Sequence, residues 1–238
     1  YRLNTEPISD STVIMTTVVW CLGIFIFGWL VFPIIFVLFP TLPLHGFMIG
    51  RGFAWLIVAV AAWWLTSGGT LFFWTQPGLW ALILVLIAGA AVLAYTRRAE
   101  LIAFVRAHWR ALLAAELLFI GALVFGLVLR SLNPDLWHPS RGGEKPMDFA
   151  YLNAILRTPV FPAPNPWFAN YPINYYYFGF VIAAVPIKLG NVASEIGVNL
   201  VLATLYAVLV TVFFTLAYAI VPASRRVTRV SLAAVGTT

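Results

Sequence analysis

Charge is scarce in this chain. Lysine, arginine, aspartate and glutamate make up 9% of its 238 residues, where a soluble domain carries roughly a quarter. That shortage excludes a water-soluble globule of ordinary composition. Cysteine is scarcer still: Cys21 is the one thiol, and it sits inside an apolar run. A disulfide framework within the chain and a thiolate metal cluster are both excluded, and a buried structural Cys is the plain reading. No basic segment precedes the first apolar run, which is also too long for a signal peptide. No internal repeat of fixed period is visible.

What is present is apolar. Hydrophobic residues reach 62%, and mean hydropathy is +0.95. The composition is that of an integral membrane protein. The net charge of +6 and pI near 9.8 do not point to nucleic acid, because the arginines fall in short runs between apolar segments, as membrane flanks do. The first residue is Tyr1, and the chain stops at Thr238 within a new apolar segment. We therefore expect a piece of a longer polytopic protein.

The fold class expected is all-α: a polytopic transmembrane helical protein of about six spans, with a large structured external loop that contains a short interfacial helix. Apolar runs place the spans at about 12–39, 53–65, 79–95, 111–129, 175–189 and 199–221. His45 and Arg51 are assigned to a short connection, and Pro33 to a kink. Residues 97–110 carry Arg97, Arg98, Arg106 and Arg110 against Glu100, the best candidate for a cytoplasmic segment. Leu101, Phe104, Val105 and Trp109 have helical spacing there, which suggests an amphipathic helix lying on the membrane.

Counting from that segment puts the polar stretch after span four outside the cytoplasm. The organisation expected is 1–130 as N-terminal spans, 131–174 as an external loop, and 175–238 as further spans, in the plasma membrane. Simple alternation then puts Arg225, Arg226 and Arg229 outside, against the positive-inside rule. Either a short span does not cross, with 175–189 and its Pro186 the weakest, or the rule fails.

The stretch from Ser131 to Tyr177 organises the rest. It holds eight of the fifteen prolines and three of the eight acids. Its aromatic density argues against disorder. A loop of this length without regular pattern is usually functional or disordered. Asp135 and His138, three residues apart, read first as a turn and second as a ligand or acid–base pair. Pro146 and Asp148 suit the first turn of a helix running to Arg157, with Phe149, Leu152 and Ile155 on its apolar side. Glu144 precedes Pro146 and is expected off that helix. Tyr175, Tyr176 and Tyr177 start the next apolar segment. The plainer reading is an aromatic belt; the functional one is a wall for a sugar or prenyl chain.

The run from Gly142 to Asn153, followed by Pro166-Trp167-Phe168-Ala169 and by Ile173-Asn174-Tyr175-Tyr176-Tyr177-Phe178-Gly179, resembles the "YYY" family of uncharacterised bacterial and archaeal multi-spanning proteins. That family is similar, more distantly, to the C-type glycosyltransferases, which use polyprenyl-phosphate sugars and place an acid and then a tyrosine in an external loop. The resemblance implies a membrane glycosyltransferase with a lipid-phosphate sugar donor and membrane lipid as partner. Asp148 would be the catalytic base, with Glu144 second. Arg141, Lys145 and Arg157 would bind phosphate, and Tyr151, Trp167, Asn174, Tyr175, Tyr176 and Tyr177 would bind substrate. No metal ligands are assigned; a divalent cation is compatible but has no cluster in its favour. The alternatives are a lipid or sugar transporter, for which Glu116 and Lys188 are the candidate membrane charges, and a non-catalytic scaffold.

Overall fold

The computed structural model describes residues 9–67, 69, 73–136 and 143–220. It is helical: α1 (Asp10–Leu38), α2 (Phe47–Thr66), α3 (Gln76–Thr96), α4 (Arg98–Leu132), α5 (Lys145–Arg157), α6 (Phe178–Leu189) and α7 (Ser194–Ile220). Among the described residues the only strand-like pairing is two isolated bridges, Ser67 with Phe161 and Pro164 with Pro172. Among the described residues five helices are long and apolar enough to cross a membrane: α1, α2 with its preceding turn, α3, α4 and α7. Their outer faces are apolar too, as lipid contact requires; Val85 of α3 is 72% exposed.

Local signals set the boundaries. Ser9 caps α1 by accepting from the Thr12 N–H, and Thr75 caps α3 through the Gly78 N–H. Pro77 occupies the first turn of α3, where its missing N–H costs nothing. Between α1 and α2 the chain reverses through Leu44, His45 and Gly46, all in the left-handed region. His45 is held there by stacking on Phe36, at 4.4 Å between ring centres.

Arg51 lies on α2, four residues from its start, and not in a connection. The 97–110 stretch is also corrected. It is no separate surface helix but the first turns of α4, which runs unbroken for 35 residues. Nothing between Arg98 and Gly121 breaks a helix, and Ala and Leu favour its continuation. Leu101, Phe104 and Val105 pack against the α1 core around Phe32 and Phe36, whereas Trp109 is exposed.

The contacts fix the direction of each helix. Trp20 of α1 donates to Thr204 of α7. Arg130, near the end of α4, donates twice to Asn199, near the start of α7, at 2.6 and 2.8 Å. Below that pair, Gly126 lies against Ala203 so closely that a Cβ would sit 3.0 Å from its Cα. Such small-residue contacts let membrane helices approach without a hydrophobic driving force. α4 and α7 are therefore antiparallel, and α7 starts at the end of the bundle where the loop lies.

The consequence falls on α6. It has 12 residues, about 18 Å, where a crossing needs about 20 residues. Both its ends are tied to the loop end. Tyr177 meets Trp63 near the end of α2, and Leu189 accepts from Gln76 at the start of α3. α6 does not cross, so among the described residues five spans alternate. α7 then ends at the same end of the bundle where α4 begins. The basic residues 97–110 and the last described turn of α7 share one end. Arg225, Arg226 and Arg229 lie outside the described residues.

Candidate functional site

The loop is fastened to the bundle by tryptophan indoles. Trp74, 1% exposed, donates to the Ile155 carbonyl on α5; Trp55 donates to Ile182 on α6; Trp63 donates to the Tyr177 hydroxyl. Each indole has an apolar body to bury and one N–H to place, so each picks out one partner at a helix surface. Tyr151, Leu152 and Ile155 fill the same core as Trp74 and Phe161. The apolar side of α5 thus includes Tyr151, while Phe149 is only half-buried.

This anchoring fixes the start of α5. Gly143 has φ 57°, and Glu144 follows as the N-cap residue, with its carbonyl accepting from the Asp148 N–H at 2.9 Å. The two carboxylates are one helical turn apart. Glu144 is exposed and Asp148 half-buried. Burial holds the Asp148 carboxyl above its ordinary range, and the neighbouring Glu144 charge adds to it. Tyr151 stacks on Tyr175 at 5.6 Å and 12° between planes, and Tyr176 lies 4.8 Å from Tyr175. The Tyr175 phenol is also pushed up, first by desolvation, although the residue is 43% exposed, and then by Glu144, Tyr176, Asp148 and Tyr151. Two acids and three tyrosines therefore share one patch.

The other expected residues are placed differently. Lys145 turns to the Asp135 carbonyl and Asn133, at 3.2 and 3.5 Å. Arg157 is exposed at the far end of α5, nine residues from Asp148, about 13 Å along the helix. Trp167 sits exposed on a turn held by Asn165, whose side chain accepts from the Trp167 N–H and whose N–H donates to the Tyr171 carbonyl. Asn174 is exposed beside the tyrosines. Tyr177 is committed to Trp63. Arg141 and His138 lie outside the described residues. Among the described residues no three His, Cys, Asp or Glu side chains converge on a common point.

A second charged constellation lies within the membrane-spanning helices. Arg51 of α2 and Glu116 of α4 form an ion pair at 2.6 Å, each about nine-tenths or more buried. The guanidinium also lies over the Phe119 ring at 4.1 Å. Reading Arg51 as part of a connection and Glu116 as close to Arg110 hides this pair. The available signal is that each is a lone charge inside an apolar helix.

The family comparison covers most of this. Residues 57–238 match the family described as uncharacterized membrane protein (DUF2298). The chain belongs to that family. The match takes in the loop, both loop carboxylates and Glu116, and begins after Arg51. The family description is of a membrane protein and names no reaction. No curated protein and no solved structure matches the chain.

Proposed function

We propose that this protein is a membrane glycosyltransferase of C-type architecture, taking a sugar from a polyprenyl-phosphate donor at the external face of the plasma membrane. The observation that carries the reading is the Asp148 patch: a carboxylate raised by burial, paired with Glu144 one turn away and walled by Tyr151 and Tyr175. A carboxylate above its ordinary range is a better base at neutral pH, provided it remains ionised there. Asp148 takes the proton of the acceptor hydroxyl as the sugar carbon bonds to that oxygen and the phosphate leaves. Burial keeps Asp148 raised, and the more exposed Glu144 adds to it. The stacked rings offer a flat apolar face to a sugar or a prenyl chain. Lys145 and Arg141 are the cations nearest in sequence for the leaving phosphate. The basic residues 97–110, at the opposite end of the bundle from the loop, support the external placing of the loop.

The test is Asp148→Asn in the full-length protein. Mass spectrometry of envelope glycans and lipid-linked sugars is expected to show loss of one glycoform and accumulation of its donor. Unchanged glycans and donors with the variant present in the membrane would reject the reading. A transporter reading draws on the buried Arg51–Glu116 pair, since charges at membrane depth mark transport paths. Labelled-sugar uptake into proteoliposomes that is lost in Glu116→Gln but kept in Asp148→Asn would favour it.

A further inference from the structure

A groove of about 350 Å³ lies between α1 and α4, at the end of the bundle opposite the loop. Its volume is at the lower end for small-molecule sites. Trp29, Phe32 and Pro33 of α1 line it, and α4 contributes Ile102, Val105 and Arg106. Phe32 is buried, while Ile102 and Arg106 are exposed. The groove therefore has an apolar floor and an open, cationic rim.

Two of its residues carry polar side-chain atoms, Arg106 and Trp29, and both bring donors only. Neither is satisfied within the described residues. Trp20, Trp55, Trp63 and Trp74 each place the indole N–H on a partner. The Trp29 N–H has none there, and it is not sealed from the surface. The ion pairs among the described residues are Arg51 with Glu116 and Arg97 with Glu100. Glu100, the one acid in 97–110, is thus taken by Arg97, and Arg106 is left unpaired. Free donors beside an apolar floor fit a ligand with acceptor oxygens and a hydrocarbon chain.

The depth suits a lipid. Arg130 stands in the last turn of α4. From there, about 30 Å of hydrocarbon at about 1.5 Å per residue ends near Arg110. Arg106 lies one turn beyond, at headgroup level. Leu113 and Leu117 continue the row of Ile102 and Arg106 at helical spacing, and both are half or more exposed. A chain leaving the groove therefore meets apolar surface.

We propose that this groove binds one acidic phospholipid, with its phosphate on Arg106 and an acyl chain over Phe32 and along α4. A choline or ethanolamine cation would face a segment with four arginines against one glutamate, whereas a net negative headgroup is attracted to it. The site lies at the opposite end of the bundle from Asp148 and does not depend on the transfer reaction.

The test is native mass spectrometry of the full-length protein, released from detergent that holds equal phosphatidylglycerol and phosphatidylcholine of the same chains. One phosphatidylglycerol is expected to be retained about fivefold or more over phosphatidylcholine. Arg106→Gln, at an exposed position, is expected to remove that preference, and Arg106→Lys to keep most of it. Arg98→Gln takes the same charge from the same helix away from the groove, and is expected to leave retention within about twofold. Ile102→Trp fills the groove from its exposed side and is expected to block retention. Equal retention of the two lipids by the unaltered protein would overturn the proposal. So would a preference that survives Arg106→Gln, or retention unchanged by Ile102→Trp. An equal loss in Arg98→Gln would also overturn it, by assigning the preference to the field of the whole basic segment. Displacement of the lipid by chain-free glycerol phosphate would do the same, because the groove would then hold nothing.

Discussion

Two charged places in this molecule are built in opposite ways. Glu144 and Asp148 are like charges at the loop end, one exposed and one half-buried, held close by one turn of backbone. Arg51 and Glu116 are opposite charges between helices, almost wholly buried and joined by a short ion pair. In the first, solvent tolerates the repulsion, and part of it shows as the raised Asp148 carboxyl. In the second there is no solvent to relax into, so each charge depends on its partner. The loop pair can be altered with little structural consequence, while the buried pair cannot be halved.

Removing one member of the buried pair gives the largest effect. Glu116→Ala leaves the Arg51 guanidinium uncompensated, and a loss of about 3–5 kcal/mol is expected. Arg51→Met/Glu116→Leu removes both charges and is expected to restore most of it, because a well-packed apolar pair is often neutral or better. Thermal unfolding in detergent, followed by intrinsic fluorescence, checks both. Equal destabilisation by the single and double variants would mean that packing, and not charge, holds this point.

An intermediate effect is expected where the loop meets the spans. Trp74→Phe keeps most of the ring but strands the Ile155 carbonyl in a buried place. Loss of such a bond costs about 1–3 kcal/mol. Because Trp74 holds α5 and not a span, the variant is expected to speed proteolysis of the loop before it shifts unfolding of the helices. Limited proteolysis beside a melting curve separates the two. Simultaneous loss of loop and bundle would show that α5 is part of one cooperative unit.

How much of this was legible in the sequence follows from the range over which each signal acts. The long apolar runs and the proline-rich loop are local patterns, and α1, α3, α7 and α5 follow from them within a few residues. Four arginines resemble a membrane flank and hide the unbroken α4, although nothing in 98–120 stops a helix. The fate of α6 depends on partners far away in sequence: Trp63, Gln76 and Leu156 hold its ends. Length alone leaves that open. For the same reason the Glu144–Asp148 neighbourhood, four residues apart, was visible, and the Arg51–Glu116 pair, 65 residues apart, was not.

The smallest expected effect sharpens the contrast most. The folded protein raises Asp148 above its ordinary value, so the fold favours the protonated form over the ionised one. Stability from that preference is fully present below the unfolded-state value, about 3.9. It is lost as pH rises through the raised value of the folded state. At neutral pH the ionised Asp148 is therefore a small burden on the fold. Asp148→Asn is expected to unfold at a slightly higher temperature than the unaltered protein at pH 7, with the gap closing on acidification. Burial is the first cause of the shift and Glu144 the second, so Glu144→Gln is expected to reproduce only part of that gain. High salt, which screens exposed charges, should remove the Glu144 part and leave the burial part. A gap between Asp148→Asn and the unaltered protein that vanishes entirely in salt would make Glu144 the main cause, and would place Asp148 in solvent, where a base has no raised affinity for the acceptor's proton.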